Sequence, residues 1–287
     1  MEFRKGDFIF IGLCADRAGE NTLTRKGLRY LQQEFSSIEE TRIDLNLAFK
    51  SCYMMKPQLF LIHYAGGNSY SFQFLTPFLK DFEVTAPELP GRGRRVAEPL
   101  LPEFEQAAAD IYAIISKKLT TTDFIIYGHS LGAYLALRVS QMLEKNGRPP
   151  AYLLVSGNPG PGAVAIKNRH LMEPAAFISE LKVLGGVPAE FLESEDLMEF
   201  FDPILRTDFK IAEQNGLENT TPVNVPLYAL MGSEEEDVAK IDNWGRFTTS
   251  TFHKEILAGD HFFIQHHPQR LSEIIRQCYN RRRVRMM

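Results

Sequence analysis

The run Phe124-Ile125-Ile126-Tyr127 passes through Gly128-His129-Ser130-Leu131-Gly132 directly into Ala133-Tyr134-Leu135-Ala136-Leu137. An apolar strand, a turn with Gly-x-Ser-x-Gly spacing and a helix-forming run follow one another without a spacer. Such a turn holds its serine at the head of a helix, in a strained backbone conformation with the hydroxyl exposed. The two glycines sit where the chain crowds itself and a Cβ would clash. Ser130 is therefore a candidate nucleophile. The plain alternative is a glycine-rich loop whose serine caps a helix.

From residue 57 onward, apolar runs alternate with amphipathic segments. Strands are predicted at 59–63, 83–86, 124–127, 152–156, 226–231 and 252–257, and helices at 70–80, 102–119, 131–145, 238–247 and 268–279. This alternation implies an α/β fold with a mostly parallel central sheet and helices on both faces. The strand runs are continuously apolar, as buried parallel strands are. With the serine turn added, the expectation is an α/β-hydrolase fold. The stretch 157–218 breaks the alternation. It opens with the loop Gly157-Asn158-Pro159-Gly160-Pro161-Gly162, and helical pieces are predicted at 173–184, 189–201 and 203–215. Their exposed faces carry Phe177, Leu181, Phe191, Leu192, Phe200, Phe201, Ile204 and Phe209. This reads as a helical lid over the nucleophile; the alternative is that the aromatics pack onto the sheet. Residues 1–55 read as an N-terminal extension, either a β-rich flap with one helix or a stretch that contributes little, and 56–287 as the hydrolase domain.

Composition narrows the classes. With 287 residues and 44% hydrophobic content, the chain can bury a sizeable core. A net charge of −4 provides no basic field for nucleic acid. Cys14, Cys52 and Cys278 form neither a CxxC pair nor a metal-ligand spacing, and read as free thiols of a cytoplasmic protein. No run approaches membrane-spanning length. Phe8-Ile9-Phe10-Ile11-Gly12-Leu13, flanked by Asp7 and Asp16, is a poor signal peptide and a better strand. Neither a metal nor a cofactor is expected.

A serine hydroxyl needs a general base, and the base needs an orienting group. In this fold the order along the chain is serine, acid, histidine. Among seven histidines, His261 is best placed, in Gly259-Asp260-His261-Phe262-Phe263 just after the last predicted strand. His266 and His267 start the final helix, His129 packs in the turn and His63 ends the first strand; these read as solvated or structural. The acid belongs on the loop Gly232-Ser233-Glu234-Glu235-Glu236-Asp237-Val238. The spacing Gly-x-x-acid-x-x-Val selects Glu235, with Asp237 as the alternative. Asp202 and Asp208 lie in the insertion, away from that loop. Donors to the tetrahedral oxyanion are expected from the backbone N–H of Leu131 and from Ala65, where Gly66 and Gly67 let the chain turn in closely.

Several blocks, in order, resemble the type II thioesterases that accompany polyketide synthases and nonribosomal peptide synthetases. They are Leu61-Ile62-His63-Tyr64-Ala65-Gly66-Gly67-Asn68-Ser69, Glu88-Leu89-Pro90-Gly91-Arg92, Gly128-His129-Ser130-Leu131-Gly132, Leu184-Gly185-Gly186-Val187-Pro188, Pro203-Ile204-Leu205-Arg206-Thr207-Asp208 and Gly259-Asp260-His261-Phe262-Phe263. The resemblance covers residues 57 to about 279. It implies a monomeric enzyme that hydrolyses acyl thioesters on the phosphopantetheine arm of an acyl or peptidyl carrier protein, through an acyl-serine. Phe177, Leu181, Phe191 and Phe201 would then offer apolar area to the acyl chain, and Arg92 would meet the arm's phosphate or the acidic carrier helix, or form a structural ion pair. Three features depart from the family: Glu235 in place of the usual Asp, Asp260 in place of a Gly, and residues 1–53, which have no counterpart. A serine esterase or lipase on small free esters, and an acyltransferase or cyclase, would use the same triad.

Overall fold

Six strands form one sheet in the order β2-β1-β3-β4-β5-β6, with every neighbouring pair parallel. They are β1 (Gln58–Ile62), β2 (Glu83–Thr85), β3 (Phe124–His129), β4 (Tyr152–Ser156), β5 (Leu227–Gly232) and β6 (Phe252–Leu257). The computed structural model describes residues 56–187 and 189–285. The N-terminal extension and its expected flap lie outside the described residues. The fold is that of an α/β hydrolase.

β1, β3, β4 and β5 are buried at every position, so each needs apolar residues facing both ways. Phe60, Ile62, Ile126 and Val155 pack with helices α1 (Phe104–Lys118) and α2 (Leu131–Lys145). Leu59, Leu61, Ile125 and Leu154 face the other way, onto the residue 72–82 segment and helix α6 (Pro268–Arg285). α1 buries Phe104, Ala107, Ala108, Ile111 and Ile115, the three-and-four spacing of one helical face. β6 differs from the continuously apolar expectation. Its Phe-His-Lys-Glu-Ile-Leu sequence is half-buried because it lies at the sheet edge.

Two expected helices take other forms. Residues 70–80 form consecutive turns that end in a 3₁₀ turn at Thr76–Phe78. Side chains capture the local N–H groups there: Asn68 accepts from Tyr70 and Ser71 from Asn68, and Pro77 has no N–H to continue a ladder. Val238–Phe247 is 3₁₀-helical throughout, and its buried residues Ile241, Trp244 and Phe247 recur every third position, matching three residues per turn.

The insertion between β4 and β5 holds α3 (Pro174–Leu184), α4 (Ala189–Leu192) and α5 (Glu195–Glu213). α5 runs through Pro203, where the sequence suggested a break between two helices. Ser194 caps it by accepting from the Leu197 N–H, and Ile204, Leu205, Asp208 and Ile211 form one buried stripe. That packing offsets the single bond Pro203 cannot make, a loss of about 3 kcal/mol in a helix interior. β1 leads to β2 on one side of itself, while β3 lies on the other. The crevice at the carboxyl ends of β1 and β3 is the switch point where α/β sheets place ligands.

Candidate active site

The crowding predicted for the serine turn is present. A Cβ on Gly128 would lie 1.9 Å from the Gly132 carbonyl oxygen, and one on Gly132 would lie 2.1 Å from that of Ile62. Between them Ser130 takes φ 56° and ψ −118°. Its N–H donates to the Ser156 carbonyl at 2.7 Å, and its carbonyl accepts from the Asn158 side chain at 2.8 Å. The Trp244 indole N–H in turn donates to the Asn158 carbonyl at 2.9 Å. The proline-glycine loop after β4 thus braces the turn, a role that its composition alone did not reveal.

Three side chains from three loops meet at this turn. His261 Nε2 lies 3.0 Å from Ser130 Oγ, and His261 Nδ1 lies 2.9 Å from Glu235 Oε2. A carboxylate only accepts, so Nδ1 carries the proton and Nε2 is left to accept from the serine hydroxyl. The second Glu235 oxygen accepts from the Gly232 N–H at 2.8 Å. The extra methylene of Glu is absorbed by folding the carboxylate back onto the start of its own loop. Asp237, the alternative acid, pairs instead with Lys240 at 2.7 Å. This arrangement can deprotonate the hydroxyl and hold the resulting imidazolium against a carboxylate.

Ala65 and Leu131 line the same cleft as Ser130, a cavity of about 770 Å³. The Gly66 N–H is engaged by Asp208 at 2.8 Å and the Gly67 N–H by the Tyr64 carbonyl at 2.9 Å, so neither is free for an oxyanion.

Two other histidines pack behind the site as structural groups. His63 Nδ1 donates to the Tyr64 carbonyl and Nε2 accepts from the Leu89 N–H. Burial, then the nearby Arg92 charge, lowers its pKa to about 4. His129 contacts the Ser156 hydroxyl, which also meets Tyr127. Burial, then the neighbouring His261, keeps it well below the usual histidine range. His267 donates to the Ala258 carbonyl in an exposed hydrogen bond, and His266 is exposed.

The expected lid contacts divide. Leu181 lines the cleft, beside Leu184, Val187, Leu205 and Phe209. Phe177 does not. It is wholly buried inside the insertion, edge-on to Phe209 and under the Arg206 guanidinium. Phe191 and Phe201 pack on each other away from the cleft wall. Phe177, Leu181, Leu192 and Leu205 form a small core within the insertion, with Phe201 and Phe209 packed against it, because a separate layer needs a core of its own. Arg92 is also not placed to meet a phosphate, since it is buried against Asp208 in a bidentate ion pair of 2.5 and 2.8 Å. Arg169, a cleft residue that sequence reasoning missed, is held between Glu180 and Glu213. Among the described residues no group of side chains has metal-ligand clustering, and no helix is long and apolar enough to cross a membrane.

Residues 57–280 match the thioesterase domain family. The chain belongs to that family. It is a hydrolase of thioester bonds. It is 32% identical over 214 residues to the gramicidin S biosynthesis protein GrsT of Aneurinibacillus migulanus, across 73% of this chain and 83% of that protein. It is 30% identical over 207 residues to the thioesterase PikA5 of Streptomyces venezuelae, across 71% and 74%. Among solved structures, ClbQ from the colibactin nonribosomal peptide and polyketide pathway superposes with a TM-score of 0.74 at 26% identity, covering 80% of this chain and 99% of that one.

Proposed function

We propose that this thioesterase hydrolyses acyl groups from the phosphopantetheine arm of an acyl or peptidyl carrier protein, as an editing enzyme beside a polyketide or nonribosomal peptide assembly line. The observation that carries this reading is the continuous Ser130–His261–Glu235 linkage opening into a cleft roofed by the inserted helices. Ser130 Oγ attacks the thioester carbonyl carbon while His261 Nε2 takes its proton. The tetrahedral oxyanion is met by the Leu131 and Ala65 N–H groups. Collapse expels the pantetheine sulfur, which leaves as a thiol with the proton from His261. His261 then takes a proton from water as the water oxygen attacks the acyl carbon, and on collapse returns it to Ser130 Oγ as the acyl–oxygen bond breaks and the carboxylic acid departs. Glu235 holds the imidazole tautomer and stabilises the imidazolium.

The segment 157–218 acts as the lid, and residues 56–287 as the catalytic domain. Leu181, Leu184, Val187 and Leu205 give the acyl chain an apolar wall, and each buried CH₂ contributes roughly 0.8 kcal/mol. The names of its relatives support an assembly-line partner. The buried Cys278 thiol, which forms no disulfide, suits the reducing cytoplasm, where the enzyme would work as a monomer. Mass spectrometry of an acylated carrier protein incubated with the enzyme tests the reading, with the same acyl group compared on carrier protein, coenzyme A and a small ester. Regeneration of the free arm with the best specificity constant is expected for the carrier protein. If the small ester is hydrolysed best, an esterase function replaces this one.

A further inference from the structure

Two sequence blocks take no part in the triad, yet they meet in the fold. The loop after β2 ends in Arg92, and α5 carries Asp208; both side chains are buried, at 4% and 0% exposure. Arg92 Nη1 and Nη2 reach the two Asp208 oxygens at 2.5 and 2.8 Å. Asp208 Oδ2 also accepts from the Gly66 N–H at 2.8 Å. One carboxylate therefore joins the loop after β1, the loop after β2 and the inserted helix.

Gly66 follows Ala65, the expected oxyanion donor. It has φ +73°, and a Cβ there would lie 2.6 Å from Leu205 Cδ2, on the same helix as Asp208. α5 thus presses on this turn with Leu205 and holds it with Asp208. From the other side, Glu88 accepts from the Ser69 N–H at 2.9 Å and the Arg94 N–H at 2.8 Å, tying the far end of the same loop to the Arg92 segment. A carboxylate held this way fixes the Gly66 peptide plane, and with it the direction of the preceding N–H.

We propose that Arg92 and Asp208 are positioning residues for the oxyanion site, so that the inserted helix α5 completes the hydrolytic machinery as well as covering it. The proposal rests on the acyl-serine reading of Ser130. The pair touches no reacting atom. It acts by keeping Ala65 aimed where negative charge develops, and misplacement of about 1 Å at such a site can cost on the order of 100-fold.

The test uses Asp208→Asn, Arg92→Lys and Gly66→Ala in the full chain, with reactive sites counted by a fluorophosphonate that labels the serine. kcat and KM for an acyl thioester are measured with the inhibition constant of an alkyl boronic acid, which forms a tetrahedral adduct. Per labelled site, kcat is expected to fall tenfold or more, on the order of 10–100-fold, with KM little changed and boronate affinity weakened in step. Hydrogen exchange at the Gly66 amide should accelerate in Asp208→Asn. A fall in melting temperature with kcat per labelled site reduced by less than tenfold overturns the proposal. So does a kcat loss without weaker boronate binding. Arg92→Lys keeps the charge but loses the fork, and provides the reading if Asp208→Asn does not fold. Failure of wild-type Ser130 to label would instead refute the acyl-serine reading.

Discussion

Ser130 occupies φ 56° and ψ −118°, a region that side chains other than hydrogen rarely adopt. The strain is held by fixed neighbours: the Ser156 carbonyl, the Asn158 amide and the two glycine contacts. Ser130→Ala should leave the fold unchanged and reduce thioester hydrolysis by a factor on the order of 10⁶. Near wild-type turnover in a clean preparation would remove Ser130 from the chemistry. Glu235 and Asp237 make a sharper comparison. Glu235 bridges the Gly232 N–H and His261, whereas Asp237 faces Lys240. Glu235→Gln should cost on the order of 10⁴ in kcat by presenting an amide to the imidazole, and Asp237→Asn should change kcat little. The reverse ranking in parallel kinetics would transfer the role to Asp237. Spacing along the loop favoured Glu235, but four consecutive acids look alike in sequence, and only the fold shows which one points at His261.

At the scale of elements, the turn between α3 and α4 is tightly fitted to the histidine loop. Gly186 has φ +77°, and a Cβ there would lie 2.1 Å from the Phe262 ring, which stacks edge-on against His261 and Tyr64. Gly185 has φ +75°, but its Cβ would meet only Asp260 Oδ2 at 3.4 Å. Gly186→Ala should therefore lower kcat/KM by about tenfold or more by displacing the neighbour of His261, and Gly185→Ala should lower it less. Equal values for the two would show that backbone strain, not the Phe262 contact, governs the turn. The strands and main helices were legible because their apolar periodicity is local. The course of α5 was not. Pro203 reads as a helix break, and the stripe of Ile204, Leu205, Asp208 and Ile211 that keeps the helix intact acquires its partners only on packing.

The molecule as a whole carries two buried neutral histidines behind its active site. His63 has a pKa of about 4 in the fold against an ordinary value of 6.5. The unfolded chain takes up this proton below about 6.5, whereas the folded one resists it until about 4. The associated stability is fully present above 6.5, declines as pH falls, and is gone near 4; it amounts to about 3 kcal/mol. His129 acts in the same direction. Urea unfolding between pH 7.5 and 4 should show this decline, with a shallower slope in His63→Gln. An identical slope in wild type and variant would assign the acid sensitivity to other groups.

The sequence by itself determined the strand-turn-helix around Ser130, the alternation that makes a parallel sheet, the helical insertion and the choice of His261 as the candidate base, which the fold brings within 3.0 Å of Ser130 Oγ. Each is a local pattern set by backbone sterics or by the period of apolar residues. Only the tertiary structure decided which acid completes the linkage, which insertion residues reach the cleft, and that Arg92 and Asp208 pair. Positions 116 residues apart along the chain share one buried ion pair. Neither residue's neighbours in sequence announce the other. Burial is what makes the pairing obligatory, because a charge withdrawn from water must find its partner wherever the fold has placed it.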